Sequence, residues 1–330
     1  MPMRFLGRSV IARLLVRRVL LGLLTLFLVS IVVFAATQVL PGDAANAILG
    51  RSATPERLEQ LRAQLHLDRP AVTQYWLWLT QALSGDLGTS LVNNKPVADQ
   101  VVPRIANSAT LLLLVGAFGI PPSIALGIAA AIRRGRRLDT TTSVVALAMA
   151  AAPEFVIGIG LIVLLSTVVF HWLPPVSMVP PGRSVLARPQ ILVLPVLTLV
   201  IVCFPYIFRM MRASMIEVLE SDYIEMAKLK GISRRRVILL HALPNAIAPT
   251  VQVIALTFAY LAGGVVVVEY VFGFPGIGQG LINAVTSRDV PTIQCVVVLL
   301  AAFYVAINIL ADLIAVLVTP RLRTGTWQRS

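Results

Sequence analysis

The sequence predicts an all-α integral membrane protein with six transmembrane helices and a long first external loop. Three observations carry that reading. Of 330 residues, 57% are hydrophobic and only 13% charged, where a soluble domain carries roughly a quarter. Mean hydropathy is +0.85. The apolar residues gather into six long runs, with the basic residues clustered beside them. The polar residues needed to cover soluble domains of this length are missing, and lipid is the solvent that tolerates such an exterior.

A hydrocarbon core of about 30 Å needs around 20 residues at about 1.5 Å each. The runs near Val19–Leu40, Ala109–Ile132, Val144–Phe170, Ile191–Phe208, Ala246–Val268 and Ile293–Val318 reach or approach that length. The first exceeds the roughly 7–15 apolar residues of a signal peptide, and no convincing A-x-A cleavage site follows it. It reads as an uncleaved span that leaves the membrane at Leu40-Pro41-Gly42-Asp43. The fourth contains Pro195 and Pro205, so it either kinks or extends through Arg209–Met215.

Basic residues set the orientation. Arg4, Arg8, Arg13, Arg17 and Arg18 precede the first span, and Arg133, Arg134, Arg136 and Arg137 join the second to the third. Arg209, Arg212, Lys228, Lys230 and Arg234–Arg236 lie between the fourth and fifth, and Arg321, Arg323 and Arg329 close the chain. With six spans these segments share one side, against only Arg183, Arg188 and Arg288 in the short loops opposite. The expectation is a multi-pass protein of the cytoplasmic membrane with both termini cytoplasmic. The chain divides into residues 1–108 (anchor helix and external loop), 109–320 (a core of five spans) and 321–330 (a cytoplasmic tail). The +13 net charge is therefore membrane-flanking, with no basic, aromatic-lined groove for nucleic acid. Arg234, Arg235 and Arg236 suit anionic lipid at the surface.

In the first external loop, Thr54 suits an N-cap, Pro55 the first helical position, and Leu58, Leu61 and Leu65 one face of a short helix. Tyr75, Trp76 and Trp78 suit a membrane interface. A loop this long is a docking surface or a cap. Cys203 and Cys295 sit inside apolar runs and read as buried thiols rather than a disulfide. His66, His171 and His241 have no metal-ligand spacing.

The informative segment runs from Asp222 to Asn245. Ser221 or Asp222 can cap a short helix with Glu225 in its first turn and Lys228 near its end. Gly231 permits the left-handed conformation that stops it, Ser233 can cap a second helix, and Pro244 interrupts that one. Met226 and Leu229 form an apolar seam. A force on the short helix would tilt both neighbouring spans.

Glu225-x-Ala227-x-x-x-Gly231, with Leu243-Pro244 downstream, resembles the EAA loop of bacterial ABC importer permeases, with Met226 where the middle Ala is usual. Gly85-Asp86-Leu87-Gly88-Thr89-Ser90, Phe274-Pro275-Gly276-Ile277-Gly278-Gln279-Gly280 and Arg288-Asp289-Val290-Pro291-Thr292-Ile293-Gln294 resemble stretches of the dipeptide and oligopeptide branch. Thr319-Pro320-Arg321-Leu322-Arg323 resembles that branch's ending, with Thr for Asp. In order along nearly the whole chain, they resemble the first permease subunit of such importers, the DppB/OppB-like type. The resemblance implies the type I ABC importer permease fold and a coupling helix, with Glu225, Met226, Ala227, Leu229 and Gly231 seated on an ATPase. It implies as partners a second, DppC/OppC-like permease subunit, two ABC ATPase subunits, an extracellular or periplasmic peptide-binding protein and membrane lipid. ATP and Mg would reside on the ATPases, with no cofactor in this chain.

Other residues allow two readings. Phe274, Gly276 and Gly278 belong either to a tight re-entry or to an outer gate, with Arg288 and Asp289 fixing the loop. Glu154, placed mid-span after Pro153, faces the bundle interior or a water-filled path. There it either meets a solute's ammonium or serves as a structural carboxyl. Glu269 and Asp312 lie near span ends, where interfacial solvation suffices. No G-x-x-x-x-G-K-[ST] occurs, so this chain is not expected to be an enzyme, and hydrolysis falls to separate subunits. Two other classes remain as alternatives. An ion-coupled secondary transporter would use Glu154 as its carrier, although the inverted repeats usual in such folds are not found in the sequence. An intramembrane enzyme would need a catalytic pair, where one lone mid-span carboxylate is present. Di- or oligopeptides are the expected solute, with nickel, glutathione or another small solute as the alternative.

Overall fold

A computed structural model describes residues 3–39, 54, 69–180 and 183–318. Its helices are α1 (Met3–Val39), α2 (Ala71–Leu83), α3 (Val97–Ile132), α4 (Arg137–Ala151), α5 (Glu154–Ile162), α6 (Gln190–Leu219), α7 (Asp222–Leu229), α8 (Leu243–Phe272), α9 (Ile277–Thr286) and α10 (Val290–Val318). No strand occurs among the described residues. The protein is therefore all-α. Five helical stretches are long and apolar enough to cross a membrane, and bent pairs raise the number to as many as seven. The six expected lie within that range. The Leu40–Asp43 exit, the helix after Thr54 with Leu58, Leu61 and Leu65, His66, and the chain from Thr319 onward lie outside the described residues.

The run taken as an unbroken third span is broken. α4 ends at Ala151, α5 begins at Glu154, and the chain bends by 103° between them. Pro153 has no amide hydrogen to donate and forces the preceding residue out of the helical region. Ala152 is accordingly extended, at φ −94° and ψ 130°. After Ile162 the helix widens into a π-helical stretch, Val163–Thr167.

α6, by contrast, runs unbroken through Pro195 and Pro205 and on to Leu219. Pro195 cannot donate to the carbonyl of Ile191, one turn earlier. That carbonyl instead accepts a 2.6 Å hydrogen bond from Ser177 Oγ, so the proline costs the helix no buried polar partner.

The chain forms two compact units. The first comprises residues 1–21, 109–274 and 306–330. Here α5, α6 and α8 pack on one another around Leu111, Leu194, Leu199, Ile207, Leu261 and Phe272. α3 lies tight against α6, because a Cβ on Gly127 would stand 2.8 Å from that of Met211. Arg18 pairs with Asp312 at 3.0 Å.

The second unit comprises residues 22–108 and 275–305. Tyr75 of α2 packs edge-on against Phe34 of α1, with ring centroids 5.4 Å apart, and its hydroxyl shares a 2.8 Å hydrogen bond with Ser30 Oγ. Tyr75 is thus a buried packing residue rather than an interfacial anchor, whereas Trp76 is exposed. Val97, Val101, Ile277 and Val296 form another core in this unit. Cys203 and Cys295 are free and buried.

Candidate functional site

α7 is amphipathic in a way that divides its residues by role. Ile224 and Ala227 are buried, against Met211 and Met215 of α6 and against Val237, Ala242 and Ala246. Tyr223, Glu225, Met226 and Leu229 are exposed. Of the five residues assigned to coupling, Ala227 thus holds α7 to its own bundle. Glu225, Met226 and Leu229 remain on the outer face.

The helix ends follow backbone rules more than side-chain caps. Ser221 occupies the N-cap position in an extended conformation, but no side chain caps the helix. Its hydroxyl turns back to the carbonyl of Val218, at 2.5 Å, and its own carbonyl accepts from the amides of Ile224 and Glu225. The expected capping by a Ser221 or Asp222 side chain is therefore absent. Asp222 and Glu225 do lie in the acid-favouring first turn. Gly231 has φ +74°, and its amide closes on the Lys228 carbonyl at 2.9 Å, as the terminating role requires.

Beyond Gly231 the chain does not break at Pro244. Arg234–Arg236 form one turn, Val237–Ala242 a π-helical stretch, and Pro244 sits in the first turn of α8. The wider π turn accommodates a residue that cannot donate to the preceding turn. Asn245 Nδ2 donates to Tyr223 Oη at 3.1 Å and to the His241 carbonyl at 2.8 Å. α7 is thereby bonded to the start of α8 as well as being continuous with α6.

A second attachment was not visible in the sequence. Asp139, almost wholly buried, receives both arms of Arg212 from α6, at 2.5 Å from Nε and 2.9 Å from Nη2. It also accepts the Gly135 amide at 3.0 Å. Arg134 pairs with Glu220, next to α7. The turn between α3 and α4 is thus bolted to the end of α6 that leads into α7. The one available signal was a lone acid two residues after four arginines.

The residues considered for a gate lie where α8 gives way to α9. Gly273 ends α8 in the left-handed conformation, at φ 59°. The Phe274 amide returns to the Glu269 carbonyl at 2.8 Å, and its ring is fully buried in the first unit's core. In the second unit, Gly276 precedes α9 and its carbonyl accepts from Arg104 Nη1 at 3.2 Å. Gly278 is buried in α9. Asn107 holds the Pro275 carbonyl at 2.9 Å, and Ser108 the Ile277 amide at 2.9 Å. Gly280 leaves room for Arg104, whose Cδ would be 2.9 Å from an added Cβ. Asp289 accepts from Ser90 Oγ at 2.5 Å, the Leu91 amide at 3.0 Å and Thr292 Oγ1 at 2.8 Å. It ties two of the sequence stretches singled out above to each other.

Glu154 stands in the first turn of α5, at the helix break rather than within a continuous span. It is half-buried, and its Oε1 lies 3.5 Å from where a Cβ on Gly264 of α8 would stand. Glu269, expected to be solvated near a span end, is fully buried.

Residues 123–324 match the family described as binding-protein-dependent transport system inner membrane component, and residues 11–112 match its N-terminal membrane component. A putative peptide transport system permease protein of Brucella abortus (strain 2308) is 36% identical over 310 residues, covering 94% of this chain and 98% of its own. A glutathione transport system permease protein of Escherichia coli (strain K12) is 37% identical over 305 residues, covering 92% and 97%.

Proposed function

This chain belongs to the family of binding-protein-dependent transport system inner membrane components, and we propose that it is the pore-forming permease of an ATP-driven importer for di- and oligopeptides. In that reading it works with a second, homologous permease subunit, two ATPase subunits that bind ATP and Mg, and an extracellular or periplasmic peptide-binding protein. Both termini are cytoplasmic. The observation that carries the coupling role is the outer face of α7. Met226 and Leu229 are apolar and exposed beside Glu225, while Ala227 and Gly231 fix the helix in place. That face suits a socket on an ATPase subunit. A push there reaches α6 and α8 together, and through Arg212 and Asp139 it reaches α4. Nucleotide-driven closure of two ATPases would then switch access to the pore from one side to the other. Glu154 lies on the translocation path, and Phe274, Gly276 and Gly278 shape the gate.

A second reading, a glutathione importer, is favoured by the Escherichia coli relative of that name. Glutathione is itself a small peptide, so the two share their test. Uptake by the complete importer in proteoliposomes is expected to require ATP, the binding protein and catalytically competent ATPase subunits, and competing dipeptide and glutathione identify the solute. Undiminished uptake with catalytically dead ATPase subunits would overturn the proposal.

A further inference from the structure

Three polar residues in the first unit, Glu154, Tyr206 and Tyr260, belong to the three helices α5, α6 and α8 that pack together. Glu154 reaches Gly264 of α8. Tyr260 stands one turn before Gly264 on the same face of α8, and Tyr206 lies on α6, against which α8 packs. Both phenols are exposed. Tyr206 also lines a cavity of ≈ 600 Å³, together with Arg209, Met210, Ala213 and Val253. These belong to one continuous surface, since 206, 209, 210 and 213 recur on one face of α6, and 253, 260 and 264 on one face of α8.

Among the described residues, one cation on this surface is paired and two charged residues are not. Arg212, which also lines the cavity, is held by Asp139. Arg209 is exposed and has no acid paired with it among the described residues, and Glu154 has no basic partner among them. An ionised carboxylate facing hydrocarbon is costly, so a face carrying Glu154, two phenols and Arg209 suits a polar occupant better than lipid.

We propose that Glu154, Tyr206 and Tyr260 form one pole, and Arg209 the other, of a transient site for a solute bearing both a free ammonium and a free carboxylate. This rests on the permease reading above and deepens it by naming the side chains that recognise the solute. The carboxylate with two phenol oxygens accepts from the three ammonium hydrogens, and the guanidinium takes the carboxylate in its two-armed fork. The spacing fits. An offset of three positions places Arg209 about 4.5 Å beyond Tyr206 along the helix axis, and the Arg stem adds reach toward the roughly 7 Å of two extended residues. The poles lie in sequence along α6, with the cationic one nearer the end that leads into α7.

The test uses the complete importer in proteoliposomes, with its binding protein and ATP, and a dipeptide probe carrying a diazirine on its side chain and both termini free. Irradiation during turnover is expected to place adducts on 154–158, 206–213 and 253–264. Glu154→Gln and Arg209→Gln are each expected to lower both adduct yield and uptake by roughly tenfold or more, the loss of one charge-assisted contact, in complexes recovered in equal amount. Tyr260→Phe is expected to lower them less. Adducts confined to other segments, no adducts despite intact uptake, or unchanged uptake by both charge variants would overturn the proposal while leaving the permease reading in place. A wild-type importer without ATP-dependent dipeptide uptake would overturn that reading, and this inference with it.

Discussion

Replacing Asp139 with Ala removes the partner of both arms of Arg212 and of the Gly135 amide. Its side chain is only 5% exposed and that of Arg212 29%. Breaking a buried ion pair from one side costs about 3–5 kcal/mol, because a charge is left without compensation. Arg212 reaches partial solvent, so the lower end, about 3 kcal/mol, applies here. Arg212→Met alone is expected to cost a similar amount. Asp139→Ala with Arg212→Met leaves no orphaned charge and is expected to recover about 2 kcal/mol of the summed loss. Equilibrium unfolding of the purified subunit in mixed detergent micelles measures this cycle. Uptake by the same variants tests transmission, because the pair joins α4 to the end of α6. Strictly additive single losses, or an Asp139→Ala protein as stable as wild type, would refute the bolt.

Three further outcomes are expected. Gly231→Ala is strained by about 1 kcal/mol at its positive φ although nothing lies within 4 Å of the added Cβ, whereas Gly231→Asn retains more uptake. Comparing the three proteins separates conformation from crowding. Gly280→Ala meets Arg104 Cδ at 2.9 Å and is expected to cost about 1–3 kcal/mol, while Gly160→Ala, with nothing within 4 Å, serves as the neutral control in the same thermal assay. Glu225→Lys is expected to reach the membrane in normal amount and to lose most ATP-dependent uptake, checked by quantitative blotting beside transport.

Local rules carried much of the structure. The apolar runs placed the long helices because lipid demands length and composition together. The short helix between the fourth and fifth spans was legible because Glu225, Lys228 and Gly231 each obey a rule confined to one turn. Pro153 was visible as well, but hydropathy is blind to bends, so Val144–Phe170 read as one span and Glu154 as mid-span. The rest depended on partners distant in sequence. Ser177 and Ile191 rescue the turn around Pro195, so the proline that argued for a kink is accommodated. Tyr75 found Ser30 and Phe34 on α1, which no loop-local pattern announces. Asp139 was hidden among arginines that the orientation rule had already explained.

The central claim is that α7 is the part of this subunit an ATPase grips. Cysteines placed singly at Met226 and Leu229, on the exposed face, and at Ala227, on the buried one, test it by disulfide or maleimide cross-linking in the assembled importer. Cross-links to the ATPase subunit are expected from 226 and 229, varying with bound nucleotide, and not from 227. Cross-linking of the ATPase to other segments, with 226 and 229 silent, would contradict the account.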